Sequence, residues 1–480
     1  MLPGENGSVL EPPISTGRSP AHRLQGSERQ TMKSQHSKMR RTAAIVATGL
    51  TVSLALAACA PAAGGGAETG NAADIEAALK EKSTITVWAW APAVEEIAES
   101  FEKEHPNVTV KVVNAGTGND QYIKLQNAIK AGSGAPDVAQ IEYYALPQFG
   151  LSDALVDLTD FGFDELEDKY TASTWGSVNL DGGIYALPQD SGPMALFYNK
   201  TVFDKWGIAV PTTWDEYIAA AKTLHAADPN AYITNDTGDA GFTTSMIWQA
   251  GGQPYTTTNS TEVALDLQDE GSKKFADTWS QLTENDLVAP VSSWSDEWYR
   301  GLGDGTIATL AIGAWMPGNL TSGVPDAAGD WRVAKMPTFE AGVPANAENG
   351  GGGDAILKQS KNKLVAAGFL QYMNEGEGTQ ISLKAGGFPS TVADLESDAF
   401  LNAEDPYFGG QKVNEVLADS IGDVVPGWSY LPFQVYSNSI FNDTVGQSYA
   451  DKSNLNDGLK AWQDATAEYG NEQGFTVTTK

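Results

Sequence analysis

Covalent chemistry has little to work with in these 480 residues. The one cysteine, Cys59, can close no disulfide and no Cys-x-x-Cys pair. Of four histidines only His105 and His225 lie beyond residue 58, thin material for a His-based metal site or a Ser/His/Asp relay. The first strand-to-helix turn lacks GxGxxG, and neither GxxxxGKS nor GxxxxGKT occurs, so a nucleotide finds no phosphate cradle. No cofactor and no metal are expected. The chain is rich instead in rings, with thirteen Trp and sixteen each of Tyr and Phe beside 61 acidic residues. Such groups do non-covalent chemistry. An indole or phenol face packs on the C–H face of a pyranose, while Asn, Gln, Asp and Glu bond its rim of hydroxyls. Groups of this kind converge at Trp90, in the loop 114–120 and at 142–144.

Three strands and two helices must present them. STITVWAW (83–90) alternates Ile85, Val87 and Ala89 with Trp88 and Trp90, the period of a strand. PAVEEIAESFEKEHP then sets Val94, Ile97, Ala98 and Phe101 on one helical face, with Pro92 in the first turn. NVTVKVV (107–113) reads as a second strand, DQYIKLQNAIKAG (120–132) as a second amphipathic helix and PDVAQIE (136–142) as a third strand. This βαβαβ run predicts a parallel sheet covered by helices, with ligand in the crevice beyond the carboxyl ends of the strands. Two other motifs carry less. NDTGDAG (235–241) has a trace of a calcium loop without its spacing or terminal Glu. Trp294 and Trp298, four residues apart, read as a packed helix face rather than a cleft wall.

Farther along, GGIYALPQDSGPMALFYNKTVFDKWGIAVPTTWDEYIAAAKTL (182–224) holds a strand at MALFYNK and a capping box, Thr213 with Glu216, opening a helix. The ordered string resembles the extracellular solute-binding proteins of ABC importers for carbohydrates, the group of the maltose- and oligosaccharide-binding proteins. FTTSMIWQAGG (242–252), GTIATLAIGAW (305–315), NGGGGDAILKQSKNKLVAAGFLQYM (349–373) and GGFPSTVADL (386–395) extend the resemblance over nearly all of the chain beyond residue 59. It implies an α/β, two-lobe, periplasmic-binding-protein-like fold of the Venus flytrap kind, with hinged lobes and a ligand cleft between them. Lobe one would span 83–192 and 349–395, lobe two 193–348 and 396–480 with a helical C-terminus. A sugar touching both lobes would favour the closed state, which presents a surface to the permease. A monomer without enzymatic activity is implied.

The resemblance also carries residues over. Trp90, Asn114, Glu142 and Tyr143 follow the first three strands where related proteins hold ligand. Gln189 and Asp190, in LPQD, would reach sugar hydroxyls, and Trp315, ending GAW, would stack on a ring. Gly351 and Gly352, in the run 350–353, would let backbone amides approach the ligand without a Cβ between. Trp248, Phe388 and Trp428 complete the expected ligand-binding set. Neutral stacking residues point to an oligosaccharide, with xylo- and manno-configured chains among the candidates, and the scarcity of basic groups argues against uronates. Two alternatives use the same groups. A peptide or polyamine could occupy the same fold, and a secreted glycoside hydrolase could use a pair of acids beside tryptophans. The resemblance and the tethered architecture weigh against the second.

The N-terminal residues add an address. Lys33, Lys38, Arg40 and Arg41 precede the apolar TAAIVATGLTVSLALAA (42–58), and LAAC (56–59) resembles a bacterial lipobox. Residues 1–31 read as an over-long start before Met32, and 32–58 as a lipoprotein signal. Cys59 would carry the lipid, with 59–82 as its flexible tether. The 58 leading residues hold seven basic and three acidic groups, so the formal charge moves from −31 to −35 without them. Such a surface repels nucleic acid and anionic headgroups. Contact with the membrane would then come only through the anchor, on the outer face of the cytoplasmic membrane. Metabolic labelling with palmitate is expected to mark the full-length protein and to fail in Cys59→Ser; label persisting in the variant would refute the lipidation site.

Overall fold

The computed structural model describes residues 69–258 and 261–480; residues 1–31, the segment 32–58 expected as a signal and Cys59 lie outside the described residues. Strands β1 (Ser83–Trp88), β2 (Val108–Val113), β3 (Val138–Glu142), β4 (Leu187–Pro188), β5 (Met194–Asn199), β6 (Thr309–Gly313), β7 (Trp331–Ala334) and β8 (Gly352–Ile356) frame two sheets. The first has the order β2-β1-β3-β8-β4. In it β1 runs parallel to β2 and β3, and β8 antiparallel to β3 and β4. In the second, β5 lies between β6 and β7, antiparallel to both.

Local sequence explains these elements. Ile85 and Val87 alternate into the interior of β1 and are fully buried. Helix Val94–Glu104 buries Val94, Ile97, Ala98 and Phe101 and stops before Pro106, whose nitrogen has no hydrogen to continue the ladder. Pro92 stands in the turn just ahead of it. Phe101 meets Phe369 and Tyr372 edge-on at 5.1 and 5.2 Å, so helix Lys363–Glu375, distant in the chain, closes the same core. β5 is apolar over most of its length because both its faces are covered: Met194 and Leu196 enter one core, Ala195 and Phe197 another. Lobe one is thus the first sheet with its core, and lobe two the second sheet with a core on each face. Phe388 and Leu395 lie in one of the latter.

One expectation is corrected. The strip 59–82, expected as a flexible tether, contains a helix where it is described. Ala72–Ala78 opens on a capping box between Asn71 and Asp74, and Ile75 is buried in the first core. The region after residue 391 is helical as expected, ending in helix Leu455–Glu472, and closes on strand Thr476–Thr479, which pairs in parallel with Glu262–Leu265.

The lobes are joined by paired crossing segments. One leads from β4 into β5 and the other returns into β8. They are zipped by Met194 N to Ala347 O (2.9 Å), Asn349 N to Gly192 O (2.7 Å) and Gln189 N to Gly352 O (2.9 Å). Glu348 is buried between them, where a carboxylate is costly unless hydrogen bonded; it accepts from Gly192 N (2.5 Å), Ser191 Oγ (3.1 Å) and Ser173 Oγ (2.7 Å). A third segment passes at 388–391, where Phe388 O accepts from Ser191 N and Ser390 O from Thr171 N. A Cβ on Gly192 would stand 2.5 Å from Asn349 O, a contact with backbone that only separation of the two segments could relieve. Gly192→Ala is expected to lower stability by about 1–3 kcal/mol, read as a fall in Tm; an unchanged Tm would contradict this pairing.

Candidate functional site

Beyond the carboxyl ends of the lobe-one strands lies a cleft of about 470 Å³ walled by both lobes. Lobe one supplies Glu142 and Tyr144, just past β3, and Gly350 and Gly351, just before β8. Lobe two supplies the loop and helix start 234–245, Trp294, Trp298, Trp315 and residues of 430–442. The lining holds three carboxylates, Glu142, Asp236 and Asp239, with no Lys, Arg or His. Its potential repels anions and suits a neutral, hydroxyl-bearing ligand.

Trp315 is fixed in the wall through its indole nitrogen. It follows β6, and its Nε1 donates to Asn349 O at 2.7 Å. Glycines make room for it: a Cβ on Gly313 would lie 2.5 Å, and one on Gly350 (φ +80°) 2.8 Å, from that nitrogen. Trp294 lies beside it, the ring centroids 5.8 Å apart and the planes at 28°. Trp298, behind Trp294, is buried and donates through Nε1 to Asn235 Oδ1 at 2.7 Å. The expectation that both tryptophans pack a helix holds for Trp298 and fails for Trp294, which stands in the cleft because it precedes the helix Asp296–Asp304 instead of belonging to it.

The polar wall is equally fixed. Glu142 accepts from the Tyr122 hydroxyl at 2.9 Å and its amide donates to the same oxygen. Burial raises its pKa, and the Tyr122 and Tyr144 hydroxyls oppose that rise. Asp236 accepts from Trp279 Nε1 (2.7 Å) and Gly238 N (2.8 Å), and burial pushes it up to about 6. Asp239 caps helix Ala240–Gln249 by accepting from Phe242 N. Ser245, one turn on, donates to Glu348 O at 2.8 Å and accepts from Asn349 Nδ2 at 3.1 Å, which ties this helix to the crossing segments.

Of the sequence-predicted residues, Glu142, Trp315 and Gly351 line the cleft. Four others sit in the hinge behind it. Tyr143 is buried and donates to Asp190 O at 2.7 Å. The Gly352 amide, expected to face ligand, donates to Asp190 Oδ1 at 2.7 Å. Gln189 has its side-chain oxygen buried without a partner. The remainder lie off the cleft wall. Trp90 packs edge-on against Tyr122 at 6.3 Å, and Asn114 is exposed and accepts from Gly116 N. Phe388 is in a lobe-two core. Trp248 and Trp428 form a parallel stack at 5.1 Å facing a larger cavity of about 1240 Å³ around 170–177 and 415–428. No residue ending a lobe-one strand reaches that cavity. Sequence reasoning missed Trp294, Asn349 and the loop 234–245; the cap at Asp239 was the available signal for the last.

The family model for bacterial extracellular solute-binding proteins matches residues 82–380. A lactose-binding protein of Rhizobium radiobacter is 29% identical over 356 residues, covering 70% of this chain and 81% of its own. An arabinooligosaccharide-binding protein of Halalkalibacterium halodurans is 27% identical over 392 residues, covering 78% and 86%. Among solved structures, the ABC transporter-associated binding protein of B. animalis subsp. lactis, in complex with β-1,6-galactobiose, is 48% identical with a TM-score of 0.75, over 83% of this chain and 100% of that one. The galacto-N-biose/lacto-N-biose I-binding protein of Bifidobacterium longum is 26% identical with a TM-score of 0.73, over 82% and 98%.

Asp190 gives the site a measurable titration. Its carboxyl is pushed from 3.8 up to about 7, first by burial and then by the charges of Glu142 and Glu348, against the Gly352 hydrogen bond. The native state therefore keeps a proton that the unfolded chain gives up near pH 4. The stability from this group is full below that pH and is lost as pH rises to about 7. In Asp190→Asn, which cannot ionise and keeps an oxygen for Gly352 N, Tm relative to wild type is expected to rise between pH 4 and 7. A pH-independent difference would contradict the assignment.

Proposed function

The chain belongs to the bacterial extracellular solute-binding proteins, and from that membership we propose that it is the receptor of an ABC importer for a short neutral oligosaccharide. The observation that carries this is Trp315, an indole pinned by Nε1 to the hinge carbonyl of Asn349 in a cleft free of basic groups. Its half-buried indole offers a stacking platform, while Asn438 and Asn442 bring amides, and Glu142 and Asp239 carboxylates, to the hydroxyls. A volume of about 470 Å³ falls within the range of small-molecule sites. It suits a few sugar units.

The ligand configuration is drawn from the relatives. A protein sharing 48% of its residues with this chain holds β-1,6-galactobiose, and others are named for lactose and lacto-N-biose. A galacto-configured disaccharide is therefore preferred over the xylo- and manno-configured chains considered from sequence. Contact with both lobes favours closure, because only the closed state makes both sets of contacts. The closed receptor, a lipid-anchored monomer at the outer face of the membrane, would deliver the sugar to its permease and would not cleave it. Lobe boundaries near residues 192 and 349 belong to this reading, and the hydrogen bonds between the crossing segments support them.

Isothermal titration with β-1,6-galactobiose, xylo- and manno-oligosaccharides, a glucuronide, a peptide mixture and spermidine tests the reading. Micromolar or tighter binding is expected for a galacto-configured sugar and none for the glucuronide. Trp315→Ala should weaken that binding by about 2 kcal/mol or more, and a chromogenic galactoside should remain uncleaved. Binding of peptide or spermidine in place of every sugar would overturn the reading.

A further inference from the structure

Trp294 breaks two local rules at once. Its φ is +69°, a region that a bulky side chain avoids. Three of the other four non-glycine residues with positive φ among the described residues are aspartates, which tolerate it better. Its side chain is also 49% exposed, the one aromatic among the exposed large apolar side chains there. Neither feature favours folding.

The conformation persists because its surroundings over-determine it, as strained residues at functional positions require. Asn235 is the clamp. Its Nδ2 donates to Val291 O and to Ser293 Oγ, both at 3.0 Å, and its Oδ1 accepts from Trp298 Nε1 at 2.7 Å. Ser295 closes the turn by donating to Ser292 O at 2.8 Å and caps the helix behind by accepting from Trp298 N. The turn that carries Trp294 is thus held from both sides, and the ring is aimed at Trp315. At 5.8 Å and 28° the two indoles form an offset pair, a stepped apolar surface two rings wide. Trp315 is its inner step, bonded to the hinge, and Trp294 its outer one.

We propose that Trp294 is a second stacking subsite that makes the cleft select a disaccharide over a monosaccharide, and that Asn235 is the positioning residue that holds it there. The inference rests on the sugar-receptor reading. One sugar ring lies on Trp315 and the next on Trp294, so a single ring uses only the inner step. The unfavourable backbone is retained because it delivers the outer ring already oriented, which removes an ordering cost from binding.

The test uses the intact lipid-free receptor, titrated with β-1,6-galactobiose and competed with galactose. Trp294→Ala should weaken galactobiose by about tenfold or more while galactose changes by less than about threefold; Trp315→Ala should weaken both. Trp294→Gly should lose the same affinity as Trp294→Ala yet melt at a higher temperature, because glycine accepts this φ freely. Asn235→Asp keeps the acceptor for Trp298 and loses the donor to the turn. It should lower the preference for galactobiose over galactose, and add nothing to that preference in a Trp294→Ala background. Equal loss of both sugars in Trp294→Ala or in Asn235→Asp would show a structural role only and overturn the assignment. Galactobiose binding unchanged in Trp294→Ala would overturn this inference and leave the receptor reading standing, whereas wild-type silence toward both sugars would remove the two together.

Discussion

Asn349 is bonded to three elements at once, and the cleft takes its form from that residue. Its amide donates to Gly192 O in the outgoing crossing segment, its carbonyl accepts from Trp315 in lobe two, and its side chain donates to Ser245 on the helix behind Asp239. Space around its carbonyl is so tight that a Cβ on Gly192 or Gly313 would come within 2.5 or 2.3 Å of the oxygen. One residue thus sets the join between the lobes and the position of the stacking ring together. Rotation about the join necessarily moves the ring relative to Glu142 on lobe one, which is how a hinge becomes part of a binding site.

Electrostatics near the join follow from burial. Glu348, Asp190 and Asp354 all sit close to it with their pKa values raised by burial, and Asp354 is wholly enclosed, pushed up to about 7. Glu348 and Asp190 are met by hydroxyls and backbone amides instead of cations. The cleft in front repeats that choice, with carboxylates and amides and no basic group in its lining. A neutral polyol can bond such a wall without bringing a charge into it, whereas an anion would meet repulsion that nothing nearby offsets.

Much of the frame was legible because it rests on local periods. The alternation in β1 and the single apolar face of Val94–Glu104 each depend on neighbours a few residues away. The site was legible only where it touches those periods. Trp315 was reached through the family resemblance, whereas Glu142 ends a strand and was found by the rule of strand ends. Tyr143 and Tyr144 show where it blurs: adjacent side chains leave in opposite directions, and the structure sends Tyr143 under Gly351 and Tyr144 into the cleft. Trp248 and Trp428 were misplaced because an aromatic residue carries no sign of which cavity it will face. Trp294 was misjudged because four-residue spacing suggests a shared helix face, and a positive φ leaves no trace in the residue type. The Asn349 contacts join segments more than 30 residues apart, beyond any local pattern.

The most direct test is a crystal structure of the protein with β-1,6-galactobiose. Sugar stacked on Trp315 and hydrogen bonded to groups of both lobes, Glu142 among them, is the predicted result. Sugar bound in the larger cavity beside Trp248 and Trp428, or held by one lobe alone, would contradict the account.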